Sequence, residues 1–320
     1  MKITVIGCGR WGSFIGWYLD QIEHNVSFYG PEDSPHMKRY LESRTNGMVT
    51  LRDSIGLIVD MKEALEAETI IISVPSQALR GLLTEISESG VDISQKTFVL
   101  CMKGIEIETG KRLTEVFEEV LGDQIPLAVW LGPGHVQEFL RGIPNCMVID
   151  SKNRELKVRL VEEFKGPLIR FYYGSDLIGN EIGAAAKNVI GIAAGVLDGI
   201  ERSSLKGALM SRGTREVARL IEACGGNELS AYGLCHLGDY EATVFSKFSH
   251  NRAFGEMFAK GETFPDLAEG YYTVKAMMRL AKDKNVDLPI CRAVYSLLYK
   301  NGDIEAELSQ LFLRSLKNEF

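Results

Sequence analysis

The sequence predicts an α/β domain on a mostly parallel sheet, followed by an all-α domain. Three observations carry that reading. Short β-rich runs alternate with helical patterns up to about residue 178, the strand signals then stop, and a glycine-rich turn lies between the first run and the first helical pattern. Parallel strands need long crossover connections, and helices in those connections cover both faces of the sheet.

The β-rich runs are Ile3–Ile6, Val26–Tyr29, Ile70–Val74, Phe98–Cys101, Leu127–Leu131, Asn145–Ile149 and Leu168–Tyr172. Between them, Trp11–Gln21, Ser76–Ser89, Lys111–Leu121 and Asn153–Phe164 read as helices. After Gly179, helical patterns run through 181–199, 206–224, 251–260, 270–284, 289–299 and 303–316. Pro289 stands at a helix start, where its missing N–H costs nothing. The expected domains are therefore 1–178 and 179–320, both of ordinary size.

Composition narrows the function. The 320 residues are 45% hydrophobic and 25% charged, the balance of a globular protein that needs no disulfide staples. A net charge of −7 argues against nucleic acid as a general partner, leaving only a local basic pocket. The six cysteines, at 8, 101, 146, 224, 235 and 291, include no C-x-x-C pair. They read as buried thiols of a reducing cytoplasm, with no metal site. The apolar run Ile3–Ile6 is too short for a signal peptide. Ile182–Ile200 resembles a membrane span, but Lys187, Asn188 and Asp198 interrupt it. A helix buried inside the helical domain is expected there, and no integral membrane segment.

Gly7-Cys8-Gly9-Arg10-Trp11-Gly12 is G-x-G-x-x-G between a strand and a helix. Gly7 permits the tight turn, Gly9 lets the backbone approach a pyrophosphate, and Gly12 lets helix and strand pack closely. The N–H groups of a helix N-terminus attract phosphate. A Rossmann-type dinucleotide-binding domain follows, with NAD or NADP as cofactor. Glu32 or Asp33, after the second strand, leans the choice to NAD. Lys38 and Arg39 lie further on, as a phosphate contact or a solvated helix face.

Lys103 and the Gly132-Pro133-Gly134 turn each follow the carboxyl end of an expected strand, where open α/β sheets bind ligands. Lys187 lies among small and apolar residues, Gly183 to Gly191. Such a lysine either snorkels to water or is held for chemistry. Burial pushes an amine towards neutrality, which suits proton exchange with an alcohol oxygen. Gly238-Asp239 with Thr243, and Ser249-His250-Asn251-Arg252 at a helix start, add polar groups. For the latter, an N-cap at Ser249 is the plainer reading.

In these blocks the sequence resembles the NAD(P)-dependent sn-glycerol-3-phosphate dehydrogenases, nearly end to end. The resemblance rests on Gly7 to Gly12, Val74-Pro75-Ser76, Lys103-Gly104-Ile105-Glu106, Glu108-Thr109-Gly110, Gly132-Pro133 and Ala186-Lys187-Asn188-Val189-Ile190. It continues through Asp198-Gly199, Arg212-Gly213, Gly238-Asp239, Asn251-Arg252 and Glu269-Gly270-Tyr271. It implies reversible reduction of dihydroxyacetone phosphate to sn-glycerol 3-phosphate, feeding glycerophospholipid synthesis. Lys187 would exchange the proton. Lys103, Asn188, Asp239 and Thr243 would polarise or position the small phosphorylated substrate, beside Gly132, Gly134, Ser249, His250, Asn251 and Arg252. Arg10, Trp11, Pro75, Lys103 and Glu269 would join the glycines at the cofactor, Glu269 at its nicotinamide end. The active site would lie between the domains, and a homodimer is compatible with the resemblance.

Three positions depart from the family pattern. Leu131 replaces a serine, His236 a glycine, and His250 the first arginine of Ser-Arg-Asn-Arg. That arginine is the one expected at the substrate phosphate. Histidine offers fewer donors and titrates near neutral pH, so His250 and Arg252 together are the candidates to replace it. These departures keep a β-hydroxyacid or ketopantoate-type reductase open as an alternative. A non-catalytic NAD(H)-sensing module is the other, though Lys103, Lys187, Asn188 and Asp239 together argue against it.

Overall fold

The computed structural model describes residues 1–315. Leu316, the end of the last expected helix, and the rest of the C-terminus lie outside the described residues. The chain forms two compact units. One comprises Met1–Lys103 and Lys111–Glu181; the other comprises Gly104–Gly110 and the chain from Ile182 onward.

The first unit is built on one eight-stranded sheet. Its strands are β1 (Lys2–Ile6), β2 (Asn25–Tyr29), β3 (Gly56–Ile58), β4 (Thr69–Ile72), β5 (Thr97–Leu100), β6 (Leu127–Leu131), β7 (Asn145–Asp150) and β8 (Ile169–Tyr173). They lie in the order β3-β2-β1-β4-β5-β6-β7-β8. The chain leaves β1 towards one side and returns at β4 on the other, so the strand order reverses at the carboxyl end of β1. Every residue of β4 and β5 is buried. These strands are covered on both faces, which is why they read as continuous apolar runs instead of alternating ones. Trp130 on β6 has no exposed surface and packs edge-on against Phe171 and Tyr18. Each such side chain contributes about 1.5–3 kcal/mol by leaving water.

The structure adds to the sequence reading here. β7 pairs antiparallel with β6, while every other pairing is parallel. The β6–β7 connection holds only the single turn Val136–Phe139, not a crossover helix. β3 was not expected, and the helix Pro35–Ser43 appears in the sequence only as one of two readings of Lys38 and Arg39. β3 is three residues long, too short for a period to register. The helix begins on Ser34-Pro35 after a run that reads as a turn. The expected helix at 76–89 is a 3-10 turn, Ser76–Ala78, followed by Leu79–Glu88.

The second unit has no strand among its described residues. Its helices include Lys206–Ala223, His250–Ala259, Glu269–Asp283, Pro289–Tyr299 and Ile304–Phe312, with the greater part of Leu177–Gly199. The last is the one described helix long and apolar enough to cross a membrane, and 83% of its apolar window is buried inside the protein. Close packing explains its small residues. A Cβ on Gly195 would stand 1.9 Å from the Arg252 carbonyl oxygen, and one on Gly255 would stand 2.1 Å from that of Ile192. The two helices touch backbone to backbone.

Buried acids pin helix starts. Glu216 accepts from the backbone N–H groups of Ile290 and Cys291 at 2.8 and 2.9 Å. Glu181 accepts from the N–H and hydroxyl of Thr114 and from Arg112 at 2.5 Å. Burial pushes the Glu181 carboxyl up, while Arg112 and Thr114 pull it down. Arg112→Ala strands that carboxylate and should destabilise the protein by about 3–5 kcal/mol, with Arg112→Lys less severe. Denaturant unfolding measures the loss, and a change within error would show the pair to be idle.

Candidate active site

The glycine turn is shaped by three different constraints. Gly7 has φ +108°, and a Cβ there would lie 2.2 Å from the Ser73 carbonyl oxygen. Its N–H donates to Tyr29 O at 3.0 Å, which ties the turn to β2. Gly12 faces the Gly7 carbonyl, 2.1 Å from where its Cβ would be. Gly9 differs: it precedes the helix Arg10–Gln21, and nothing lies within 4 Å of its Cβ position. No side chain caps that helix. A backbone left open beside a helix N-terminus is what close approach of a pyrophosphate needs. The residues present therefore fit a dinucleotide.

Other expected cofactor residues lie on the first helix and on the loops that follow β4, β5 and β6. The Trp11 indole N–H is buried with no hydrogen-bond partner among the described residues. The Lys103 ammonium stands 5.8 Å from the Trp11 ring centroid and donates to Gly132 O at 2.6 Å. Gly132 and Gly134 have φ of +126° and +143°. A Cβ on Gly134 would meet the Phe139 ring at 2.3 Å, so backbone and packing account for that glycine. Pro75 is exposed just before the Ser76–Ala78 turn, and Arg10 is half-buried. Glu32, Asp33, Lys38 and Arg39 are all exposed, so acid and base alike follow β2.

The second unit buries Lys187 in an ion pair. This lysine is 7% exposed, inside the helix Leu177–Gly199. Its ammonium lies 2.7 Å from Asp239 Oδ2 and donates to Thr243 Oγ1 at 2.9 Å. Asp239 is fully buried on the 3-10 turn Leu237–Asp239, and Thr243 follows on the turn Glu241–Phe245. Gly191 admits Thr243: a Cβ there would stand 2.7 Å from its methyl group. Snorkelling is excluded, because both partners are buried.

The neighbouring groups divide. Asn251 donates to Asn188 Oδ1 at 3.0 Å and accepts from the Gly270 N–H at 2.8 Å, beside Glu269 at its helix start. Ser249 is the N-cap of His250–Ala259, accepting from the Arg252 N–H at 3.2 Å. The His250 ring meets Leu267 O at 3.2 Å and packs edge-on against Phe264. Arg252 is already engaged. It donates to Asp198 at 2.6 Å, Glu256 at 3.0 Å and Ser246 O at 3.1 Å. Asp198 also accepts from Ser203 and Lys206. Burial raises the Asp198 carboxyl, but these donors bring it below its ordinary value. Lys206 carries no signal in the sequence that marks it as part of this cluster, and His236 stands out there only as a departure.

The N-terminal family model of the NAD-dependent glycerol-3-phosphate dehydrogenases matches residues 2–157, and the C-terminal model matches residues 176–309. The chain belongs to this family. A glycerol-3-phosphate dehydrogenase of Chlorobium phaeobacteroides, named for NAD(P)+, is 36% identical over 100% of this chain and 99% of its own. One of Prosthecochloris aestuarii with the same name is 35% identical, each chain covered in full. The crystal structure of glycerol-3-phosphate dehydrogenase from Coxiella burnetii superposes with a TM-score of 0.92 at 27% identity, covering 98% of this chain and 99% of that one.

The glycine geometry gives a paired expectation. Gly9→Val should abolish NADH binding with thermal stability nearly unchanged, since its space is open. Gly12→Val should lower the melting temperature sharply, because its Cβ meets backbone. Calorimetric NADH titration and thermal unfolding check both; unchanged NADH affinity in Gly9→Val would contradict the cradle.

Proposed function

We propose that the chain reduces dihydroxyacetone phosphate to sn-glycerol 3-phosphate, reversibly, using NADH or NADPH. The observation that carries the proposal is the buried Lys187, held between Asp239 and Thr243. Bound nicotinamide supplies the hydride that reaches the carbonyl carbon. The remaining steps belong to the chain. Lys187 gives its proton to the carbonyl oxygen as the alcohol forms, and takes one back in the reverse direction. Asp239 favours the charged amine where burial alone disfavours it. Thr243, Asn188 and Asn251 orient the substrate hydroxyl and carbonyl, and Lys103 adds positive charge. Gly7, Gly9, Arg10, Trp11, Gly12, Pro75 and Glu269 are the proposed cofactor contacts.

The phosphate is assigned to His250, with Ser249 at the same helix start. Arg252 is committed to Asp198 and Glu256, so its part is to hold that helix in place. Glu32 and Asp33 follow β2 more closely than Lys38 and Arg39 do, which supports NAD as the preferred cofactor. A cytoplasmic location and a homodimer belong to the same proposal. The match of both family models favours this substrate over that of a ketopantoate-type reductase. A sensing module has no use for a buried proton-transfer lysine.

Lys187→Ala should lower turnover of dihydroxyacetone phosphate by about 10²–10⁴, with NADH affinity kept. Steady-state kinetics with NADH titration checks this, and near-normal turnover would return Lys187 to packing.

For His250, the apparent KM for dihydroxyacetone phosphate should rise as pH climbs through roughly 6.5–8, where an imidazole loses its charge. His250→Arg should flatten that rise. A flat profile with unaltered KM in His250→Ala would assign the phosphate to another cation.

A further inference from the structure

The turn that carries Asp239 is fastened to the helix that carries Lys187 by a histidine. His236 has no exposed surface and directly precedes the turn Leu237–Asp239. Its Nδ1 lies 2.8 Å from Gly183 O, and its Nε2 lies 2.8 Å from the Tyr240 hydroxyl. A carbonyl oxygen only accepts, so Nδ1 carries the proton and donates to Gly183. Nε2 then accepts from Tyr240. Burial brings the His236 pKa down to about 4, so the ring keeps this tautomer through neutral pH.

Gly183 gives that bond its meaning. In an α-helix the Gly183 carbonyl also accepts from the backbone N–H four residues on, which is that of Lys187. One oxygen thus joins the His236 side chain to the Lys187 backbone. The glycine also lets the His236 side chain come close, because a Cβ at 183 would stand 3.0 Å from the His236 Cβ. A glycine at position 236 would make neither bond.

We infer that His236 is a positioning residue, whose Nδ1–H bond to Gly183 sets the placement of Asp239 against Lys187. The inference rests on the reading of Lys187 as the proton-transfer group. Small errors of placement cost catalysis heavily, up to about 10²-fold for 1 Å. Asp239 and the Thr243 hydroxyl meet the Lys187 amine, and the neutral His236 ring is close enough to feel its charge.

The test compares four variants with wild type, each checked for folding by thermal unfolding and NADH binding. His236→Ala should lower kcat for dihydroxyacetone phosphate reduction by about tenfold or more, leaving the KM for NADH unchanged. The alkaline limb of kcat should move to lower pH, because a displaced carboxylate supports the ammonium less. His236→Asn offers an amide N–H near the Nδ1 position and should restore both kcat and the limb. His236→Gln reaches only the Nε2 position and should restore neither. Wild-type kcat and pH profile in folded His236→Ala would overturn the inference, as would a loss that His236→Asn leaves uncorrected. If His236→Ala does not fold, equal kcat in the Asn and Gln variants overturns it. Lys187→Ala is the control for the underlying reading: full turnover there sinks that reading and this inference together, whereas a normal His236→Ala beside a crippled Lys187→Ala sinks this inference alone.

Discussion

The proposed chemistry of the helical unit depends on one buried ion pair. Lys187 and Asp239 meet at 2.7 Å, with side chains 9% and 1% exposed. Taking an amine and a carboxylate out of water costs several kcal/mol for each ion, and close geometry with extra hydrogen bonds is needed to offset it. Those conditions are visible. Thr243 gives the ammonium an oxygen, and Gly191 gives Thr243 room to come near. Such a pair adds little net stability, so its presence in a core of alanine and isoleucine points to chemistry.

The nucleotide unit solves a different problem with the same economy. Two of its three turn glycines are fixed by contact: Gly7 by Ser73 and Gly12 by Gly7 itself. The third, Gly9, has open space where a side chain would stand, directly before the helix. Fold and binding are thus separable within six consecutive residues. Lys103 is held in the same spirit, its ammonium drawn to the Gly132 carbonyl at the end of β6.

Much of this was legible in the sequence because it follows local rules. Each expected strand is present within a residue or two, since buried parallel strands announce themselves as apolar runs. The glycine turn and Lys187 were legible because their residue types are costly elsewhere. What escaped depends on partners distant in sequence. The antiparallel β7 follows from a connection with no crossover helix, and β3 is stabilised by its neighbour β2 and not by its own pattern. Arg252 reads as a phosphate ligand, and its bond to Asp198, 54 positions earlier, cannot be seen from the sequence. His236 reads as a departure from a glycine until Gly183 and Tyr240 appear on its two ring nitrogens.

The central claim is that this site reduces a phosphorylated three-carbon ketone. The most direct test is oxidation of NADH and NADPH by the wild-type protein, with dihydroxyacetone phosphate set beside a panel of small ketoacids. The account predicts that dihydroxyacetone phosphate gives the highest kcat/KM, and that glycerol 3-phosphate is the product. Turnover of a ketoacid with none of dihydroxyacetone phosphate would contradict it.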